Sequence, residues 1–186
     1  MSLLEIRVLG DPILRDTTHP VTKVTDDVRR LLDDMFETMY AANGVGIAAP
    51  QVGRRERVCV IDVGDGPVAL INPEIGFTEG RVRGEEGCLS IPEIFGEVDR
   101  AVRVSVNALD ARGEPFTIEG SDLLARCLQH EIDHLHGKLF LDYLSMLKRR
   151  SAMSKWEKLK ADFPNFRRVL SAQEVAEHST KPDEEL

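Results

Sequence analysis

Residues 121–136 restrict the fold more than any other segment, because their apolar side chains recur at the spacing of an amphipathic helix. The side chains of this apolar stripe are Leu124, Leu128, Ile132 and Leu135. Ser121 is a good N-cap for such a helix, and Gly137 is a typical residue after its end. His130 and His134 are four residues apart, so a helix places both rings on one face. The sequence therefore predicts a helix that packs on a core and presents two imidazoles beside it.

The rest of the chain predicts an α+β fold with antiparallel sheet. Helical patterns cover residues 26–42 and 144–162, and much of the segment between them consists of short apolar runs bounded by glycine and proline. These runs, one with a clear period-two alternation, predict strands at residues 57–62, 68–72, 102–107 and 115–118. Because helices and strands do not alternate as they do in βαβ units, we expect antiparallel pairing.

The length of 186 residues predicts a single domain, at residues 1–168, before a polar, acidic tail at residues 169–186 that we expect to be disordered. The net charge of -8 argues against broad binding to nucleic acid. No apolar run is long enough to span a membrane, and the first residues lack the features of a signal peptide, so we expect a cytoplasmic protein without membrane contact. Three cysteines in such a chain do not indicate a disulfide framework.

The chemistry of the predicted central segment is that of a metal site. His130, Glu131 and His134 match the HExxH pattern, in which two imidazoles bind one metal ion and the glutamate reaches a metal-bound water. A catalytic metal usually has three protein ligands, and Cys88, in a glycine-containing segment, is the best candidate for the third. Cys127 lies one turn before His130 and is the rival third ligand, although we interpret it as part of a pocket wall.

Residues 44–51, with the sequence GVGIAAPQ, form a segment of small side chains. Two glycines and an alanine match a dinucleotide-binding pattern, but that pattern requires a preceding strand, and here a helix is predicted before it. Small residues instead allow another backbone, such as a bound peptide, to approach closely. Gln51 offers an amide donor for an oxyanion. Taken alone, the segment is equally consistent with a surface-loop glutamine.

Three segments together resemble one family, the peptide deformylases. These segments are residues 44–51, residues 86–90 (EGCLS) and residues 129–137 (QHEIDHLHG). They occur in the order of the bacterial members of that family, and such a triple match is far more specific than any single motif. The resemblance implies a catalytic domain with the HExxH helix at the centre of an α+β fold. It also implies removal of the N-formyl group from the formyl-methionine of nascent polypeptides, with release of formate.

The resemblance also implies roles for individual residues. The implied metal ligands are Cys88, His130 and His134. Glu131 is expected to transfer protons, while the Gln51 amide and the Leu89 backbone N–H line the oxyanion site. A thiolate and two imidazoles suit ferrous iron, zinc, nickel and cobalt alike, and we expect Fe(2+) as the physiological metal.

The substrate is expected to bind in extended form along residues 44–47, with the methionine side chain in an apolar pocket. Ile47, Leu124 and Cys127 are the expected pocket walls. The full set of expected substrate-binding residues is Gly44, Val45, Gly46, Ile47, Leu124 and Cys127. Residues 94–97 depart from the family near Phe95, where some members have an arginine, and this departure leaves the peptide preference open.

Two further alternatives concern partners and activity. Residues 148–168 are rich in lysine and arginine, which is typical of a solvated helix face, whereas the family resemblance suggests contact with the ribosome. The HExxH pattern also fits a peptidase with another substrate, or a non-catalytic metal-binding or ribosome-associated module. Release of formate from formyl-Met-Ala-Ser distinguishes a deformylase from both.

Overall fold

The computed structural model describes residues 2–171 of the chain, and it contains three α-helices in that range. They are α1 (Asp26–Ala41), α2 (Asp122–Leu135) and α3 (Met146–Leu159). All three were predicted from the sequence, with α3 shorter than expected because it continues as a 3-10 helix at Lys160–Asp162. The helices therefore occupy the N-terminal, central and C-terminal positions that the apolar patterns indicate.

The strands form three antiparallel sheets. They are β1 (Ile6–Arg7), β2 (Gly46–Ala48), β3 (Val58–Ile61), β4 (Val68–Glu79), β5 (Val82–Cys88), β6 (Ile91–Arg100), β7 (Arg103–Leu109), β8 (Pro115–Ser121) and β9 (Arg167–Arg168). The main sheet has the order β2-β3-β4-β7-β8, while β5 pairs with β6 and β1 pairs with β9. The α+β class with antiparallel sheet is confirmed.

The residues on either side of helix α1 explain where the helix begins and ends. The Thr25 hydroxyl accepts a hydrogen bond from the Val28 N–H at 3.4 Å, which satisfies one free donor of the first turn. After the helix, Asn43 has a φ of 54°, the left-handed conformation that asparagine tolerates better than most residues. The chain then turns directly into β2, so this boundary delivers the glycine-rich segment to the edge of the main sheet.

Helix α2 packs its apolar side against the main sheet. In β7, Val104, Val106 and Ala108 are buried and alternate with more exposed residues, as the period-two pattern predicts. They share one apolar cluster with Leu128 and Ile132 of α2. The opposite side of the helix is thereby held beside the core, where His130 and His134 lie.

The β5–β6 hairpin is a separate unit that the sequence analysis did not predict. Its apolar residues Ile91, Ile94 and Val98 share a cluster with Phe140 and Trp156, which belong to the C-terminal part of the fold. In the described range, strand pairing connects β5 only to β6. The hairpin is thus joined to the main sheet by its connecting segments and side chains.

Within residues 2–171, no helix combines the length and apolar character needed to cross a membrane. All three cysteines of the chain are free thiols. The predicted disordered tail at residues 169–186 falls almost entirely outside the described residues, so that expectation stays a prediction.

Candidate metal centre

Three donor side chains converge at one point beside α2. The ligand atoms of Cys88, His130 and His134 all lie within 4.8 Å of one another. The His134 Nε2 atom is 3.3 Å from the Cys88 sulfur and 3.2 Å from His130 Nε2. Tetrahedral ligands at ordinary zinc distances are about 3.3–3.6 Å apart. Two of the three separations are close to that geometry, and thiolate and imidazole together are a ligand set that suits one divalent ion.

The orientation of His130 is determined by a buried carboxylate. Glu86, two residues before Cys88, has its Oε2 atom 3.0 Å from His130 Nδ1. A carboxylate partner on one ring nitrogen fixes the tautomer and directs the other nitrogen, here Nε2, towards the ligand cluster. Sequence pattern alone does not indicate this role for Glu86, although the residue lies in the motif that contains Cys88.

Arg100 neutralises this carboxylate. Its Nε donates to Glu86 Oε1 at 2.8 Å, and a second guanidinium nitrogen donates to Oε2 at 3.0 Å. A third contact joins Arg100 to Asp133 of α2 at 2.5 Å. Burial raises the pKa of Glu86, but the hydrogen bonds from His130 and Arg100 outweigh burial and lower it to about 2. Glu86 is therefore ionised at neutral pH and accepts a hydrogen bond from His130 Nδ1.

Glu131 is buried next to the ligand cluster, with 3% of its surface exposed. Its Oε2 atom has no hydrogen-bond partner among the described residues. A Cβ atom added at Gly46 would lie only 2.6 Å from Glu131 Oε1, so glycine is what allows the segment and the carboxyl to approach. Burial is the main cause that raises the pKa of Glu131 to about 7, which suits a group that accepts and returns a proton near neutral pH.

Gln51 faces the centre through its amide nitrogen. The Gln51 Oε1 atom accepts a hydrogen bond from the Ala48 N–H at 2.8 Å, which leaves Nε2 directed towards the Cys88 sulfur at 3.5 Å. The residue is almost fully buried in the 3-10 helix Ala49–Val52. Leu89 follows Cys88 and lines the same cavity. The arrangement directs an N–H donor of Gln51 at the space beside the ligand cluster.

The centre opens into a cavity of about 570 Å³. The glycine-rich segment contributes Gly44, Val45 and Gly46 to its wall, and α2 contributes Cys127 and Glu131. The Cys127 sulfur is 3.5 Å from the Val45 carbonyl oxygen and lies outside the group of three ligand residues. Cys127 therefore lines the cavity and is not one of the three residues of the ligand cluster.

Two expected wall residues do not line this cavity. Ile47 is fully buried in the cluster that α1 forms with the main sheet, because its neighbour Gly46 takes the cavity side of β2. Leu124 packs against the cluster between α2 and the sheet, and Leu123 lines the cavity instead, with 52% of its surface exposed. Successive residues of a helix point about 100° apart, so neighbours face different surroundings.

Comparison with known proteins identifies the family. A sequence model described as polypeptide deformylase matches residues 3–150, which is most of the chain. The chain belongs to the peptide deformylase family. A peptide deformylase of Alkalilimnicola ehrlichii is 53% identical over 163 residues, which cover 86% of this chain and 92% of that relative. Another, from Hydrogenovibrio crunogenus, is 48% identical and covers 89% of this chain and 99% of that relative.

Solved peptide deformylases have the same fold. The crystal structure of the Legionella pneumophila peptide deformylase matches with a TM-score of 0.82 at 46% identity, over 88% of this chain and all (100%) of that one. The structure of the Ehrlichia chaffeensis peptide deformylase in complex with actinonin matches with a TM-score of 0.83 at 42% identity, over 89% and 100% of the two chains. The family and fold implied by the three sequence motifs are confirmed.

Proposed function

We propose that the Cys88–His130–His134 cluster is the reaction centre at which this member of the peptide deformylase family removes the N-formyl group from nascent polypeptides and releases formate. The observation that supports it best is the convergence of three donor atoms within 4.8 Å beside a buried glutamate. Because the substrate is a newly made polypeptide, we place the enzyme in the cytoplasm.

The ligand set fits one divalent ion, and we propose Fe(2+) as the physiological metal, with Zn(2+), Ni(2+) and Co(2+) as functional substitutes. When bound, such an ion would lower the pKa of a coordinated water to about 7 and so supply a nucleophile at neutral pH. Metal analysis of protein purified without oxygen tests the identity of the ion. Zinc as the main metal, with no activity gained from iron, would overturn this assignment.

Glu131 is proposed as the group that moves the protons. Its unpartnered Oε2 atom gives it a free acceptor position, and its pKa of about 7 allows both acceptance and donation near neutral pH. Glu131 accepts a proton from the attacking water and then delivers a proton to the departing amine. The carboxyl is not a ligand in this scheme.

The oxyanion that develops on the formyl oxygen is proposed to accept hydrogen bonds from the Gln51 side chain and the Leu89 backbone N–H. The Ala48 N–H holds the Gln51 amide in one orientation, so the donor is already in position before the substrate binds. Preorganised donors of this kind lower the barrier because they do not have to reorganise during the reaction.

The formyl-methionyl peptide is proposed to extend along residues 44–46, next to β2. Since β2 is at the edge of the main sheet, a peptide backbone can add to it as a further strand, which gives affinity without dependence on side-chain identity. Leu123 and Cys127 are the apolar contacts that we propose for the methionine side chain.

A formate-release assay tests this function. Formyl-Met-Ala-Ser should yield formate, while Met-Ala-Ser should remain intact because no formyl group is present. A peptidase with an HExxH centre would instead cut the Met–Ala bond, and a non-catalytic module would do neither. Cleavage of the peptide bond, or no reaction in the metal-loaded protein, would overturn the proposal.

Contact with the ribosome through the basic C-terminal segment is a separate proposal. Several of its cations have acidic partners in the fold: Lys148 pairs with Glu97 and Arg149 with Asp142. These pairs reduce the positive charge that is available to RNA, so any binding should be weak and sensitive to salt. Co-sedimentation with ribosomes in low salt, lost in high salt, is the expected result, and its absence at low salt would refute the contact.

A further inference from the structure

The two halves of the centre belong to separately packed parts of the fold. Cys88 ends β5 of the hairpin, whereas His130 and His134 lie on α2. The hairpin packs its apolar side against Phe140 and Trp156, and α2 packs against the main sheet. The hairpin and the main sheet share no strand pairing within the described residues. The His130 ring stacks on Phe140 of the hairpin's apolar cluster, and polar contacts between hairpin and helix add to this in setting the distance between the sulfur and the imidazoles.

Arg126 of α2 makes the most extensive of these contacts. One terminal nitrogen of its guanidinium lies 2.8 Å from Glu86 Oε1, 3.0 Å from the Val98 carbonyl oxygen and 3.4 Å from the Gly84 carbonyl oxygen, so its two N–H groups are shared among three acceptors. The other terminal nitrogen donates to the Val82 carbonyl at 3.2 Å. One side chain thus binds three residues of β5 and one of β6, and only 14% of it is exposed.

Each of the other polar contacts between α2 and the hairpin involves fewer hairpin residues. Asp133 binds Arg100, and His130 binds Glu86. Gln129 exchanges hydrogen bonds with Ala101, just beyond the end of β6. Of these α2 residues, only Arg126 donates hydrogen bonds directly to the backbone of both strands. The forked arrangement of its N–H donors is the geometry that such a multiple contact requires.

We infer that Arg126 is a positioning residue that clamps the β5–β6 hairpin to α2 and so keeps the Cys88 sulfur within bonding range of an ion held by His130 and His134. The inference rests on the proposed metal centre. Arg126 lies one helical turn before His130, and it acts through Glu86 and the hairpin backbone without contacting the ligand atoms. Its loss lets the hairpin move while the two imidazoles stay in place on their helix.

Cobalt binding to the full-length protein tests this inference, because a thiolate bound to Co(2+) gives a charge-transfer absorption that imidazoles do not. Arg126→Ala should weaken that band and lower the cobalt affinity, measured by competition with a chelator, by about 10–100-fold. Arg126→Lys should recover only part of the loss, because one ammonium group cannot reach carbonyls on both strands.

Gly84→Ala perturbs the same contact from the other side. An added Cβ atom there would lie 2.8 Å from a terminal nitrogen of Arg126, so it should displace the guanidinium without removing a charge. The expected effect on the cobalt band has the same direction as that of Arg126→Ala and is smaller. This variant decides the question if Arg126→Ala does not fold.

Arg112→Ala is the matched control, since Arg112 is exposed and pairs with Asp110 away from the centre. It should leave the band and the affinity unchanged. If the wild-type protein lacks the charge-transfer band, the proposed centre fails and the clamp with it. If the wild type has the band and both Arg126→Ala and Gly84→Ala keep it at unchanged affinity, the clamp is overturned and the centre stands.

Discussion

Glu131→Gln should remove nearly all turnover while it stabilises the metal-free protein. Glutamine has the shape of glutamate but cannot take up a proton at the pH of the reaction. The Glu131 carboxyl is 3% exposed and one of its oxygens has no partner, so the charged form is poorly solvated in the fold. The substitution removes that unfavourable charge without removing a bond to Oε2.

The size of the stabilisation follows from the pKa. Burial is the main cause that raises the pKa of Glu131 from 4.5 to about 7. Each pKa unit corresponds to about 1.36 kcal/mol, so the buried charge costs at most about 3 kcal/mol. In the unfolded chain the carboxyl ionises at lower pH than in the fold. The wild-type protein therefore loses stability as the pH rises from 4.5 to about 7, and the glutamine variant does not lose this contribution.

Denaturant unfolding of the metal-free proteins at pH 4 and pH 8 measures this difference. The two proteins should be about equally stable at pH 4, and the variant should be more stable by up to about 3 kcal/mol at pH 8, or about 6–12 °C in Tm. Glu119→Gln, at an exposed position, should change stability by less than about 0.5 kcal/mol at either pH. Formate release by metal-loaded Glu131→Gln should fall about 10²–10⁴-fold, with the metal retained.

Two results would refute this reasoning. A stability difference that does not vary with pH would mean that the Glu131 carboxyl is not strongly desolvated in the fold. Turnover close to the wild-type rate would remove Glu131 from the proton transfers, whatever its effect on stability.

The remaining predictions concern three neighbours of the centre. Gly46→Ala places a Cβ atom 2.6 Å from Glu131 Oε1 and 2.7 Å from the Cys127 sulfur, so formate release should fall about 100-fold; normal activity would contradict the close approach. Gln51→Ala should lower kcat about 10²–10³-fold with little change in KM, and a change in KM alone would argue against the oxyanion role. Glu86→Gln should weaken metal binding about 10–100-fold in a chelator competition, and unchanged affinity would show that His130 does not depend on this carboxylate.

Much of the site was predictable because its elements are defined by local pattern. The stripe of apolar residues in α2 and the spacing of His130 and His134 together predict two rings on the core-side flank of one helix. The helical pattern at residues 26–42 likewise predicts α1 (Asp26–Ala41) almost to the residue. The choice of Cys88 over Cys127 came from the motif around Cys88 and from family resemblance, and the structure brings Cys88 to the two histidines.

The walls of the cavity were less predictable, because exposure depends on what packs against each face. Ile47 and Leu124 are apolar residues next to the expected site, but Ile47 is fully buried in the core and Leu124, partly buried, packs against it. Val45 and Leu123, which do line the cavity, have the same apolar character in the sequence. The local sequence pattern does not indicate which of two nearby apolar residues lines the cavity and which packs against the core.

The sequence alone determined the helices, the alternating strands and the pair of imidazoles, since these depend on residues a few positions apart. Tertiary structure decided how Glu86 meets His130 across 44 residues and how Cys88 meets His134 across 46. It also decided that Arg126 reaches both strands of the hairpin. Contacts of this range depend on how separately packed parts fit together, and the spacing of residues along the chain does not contain that information.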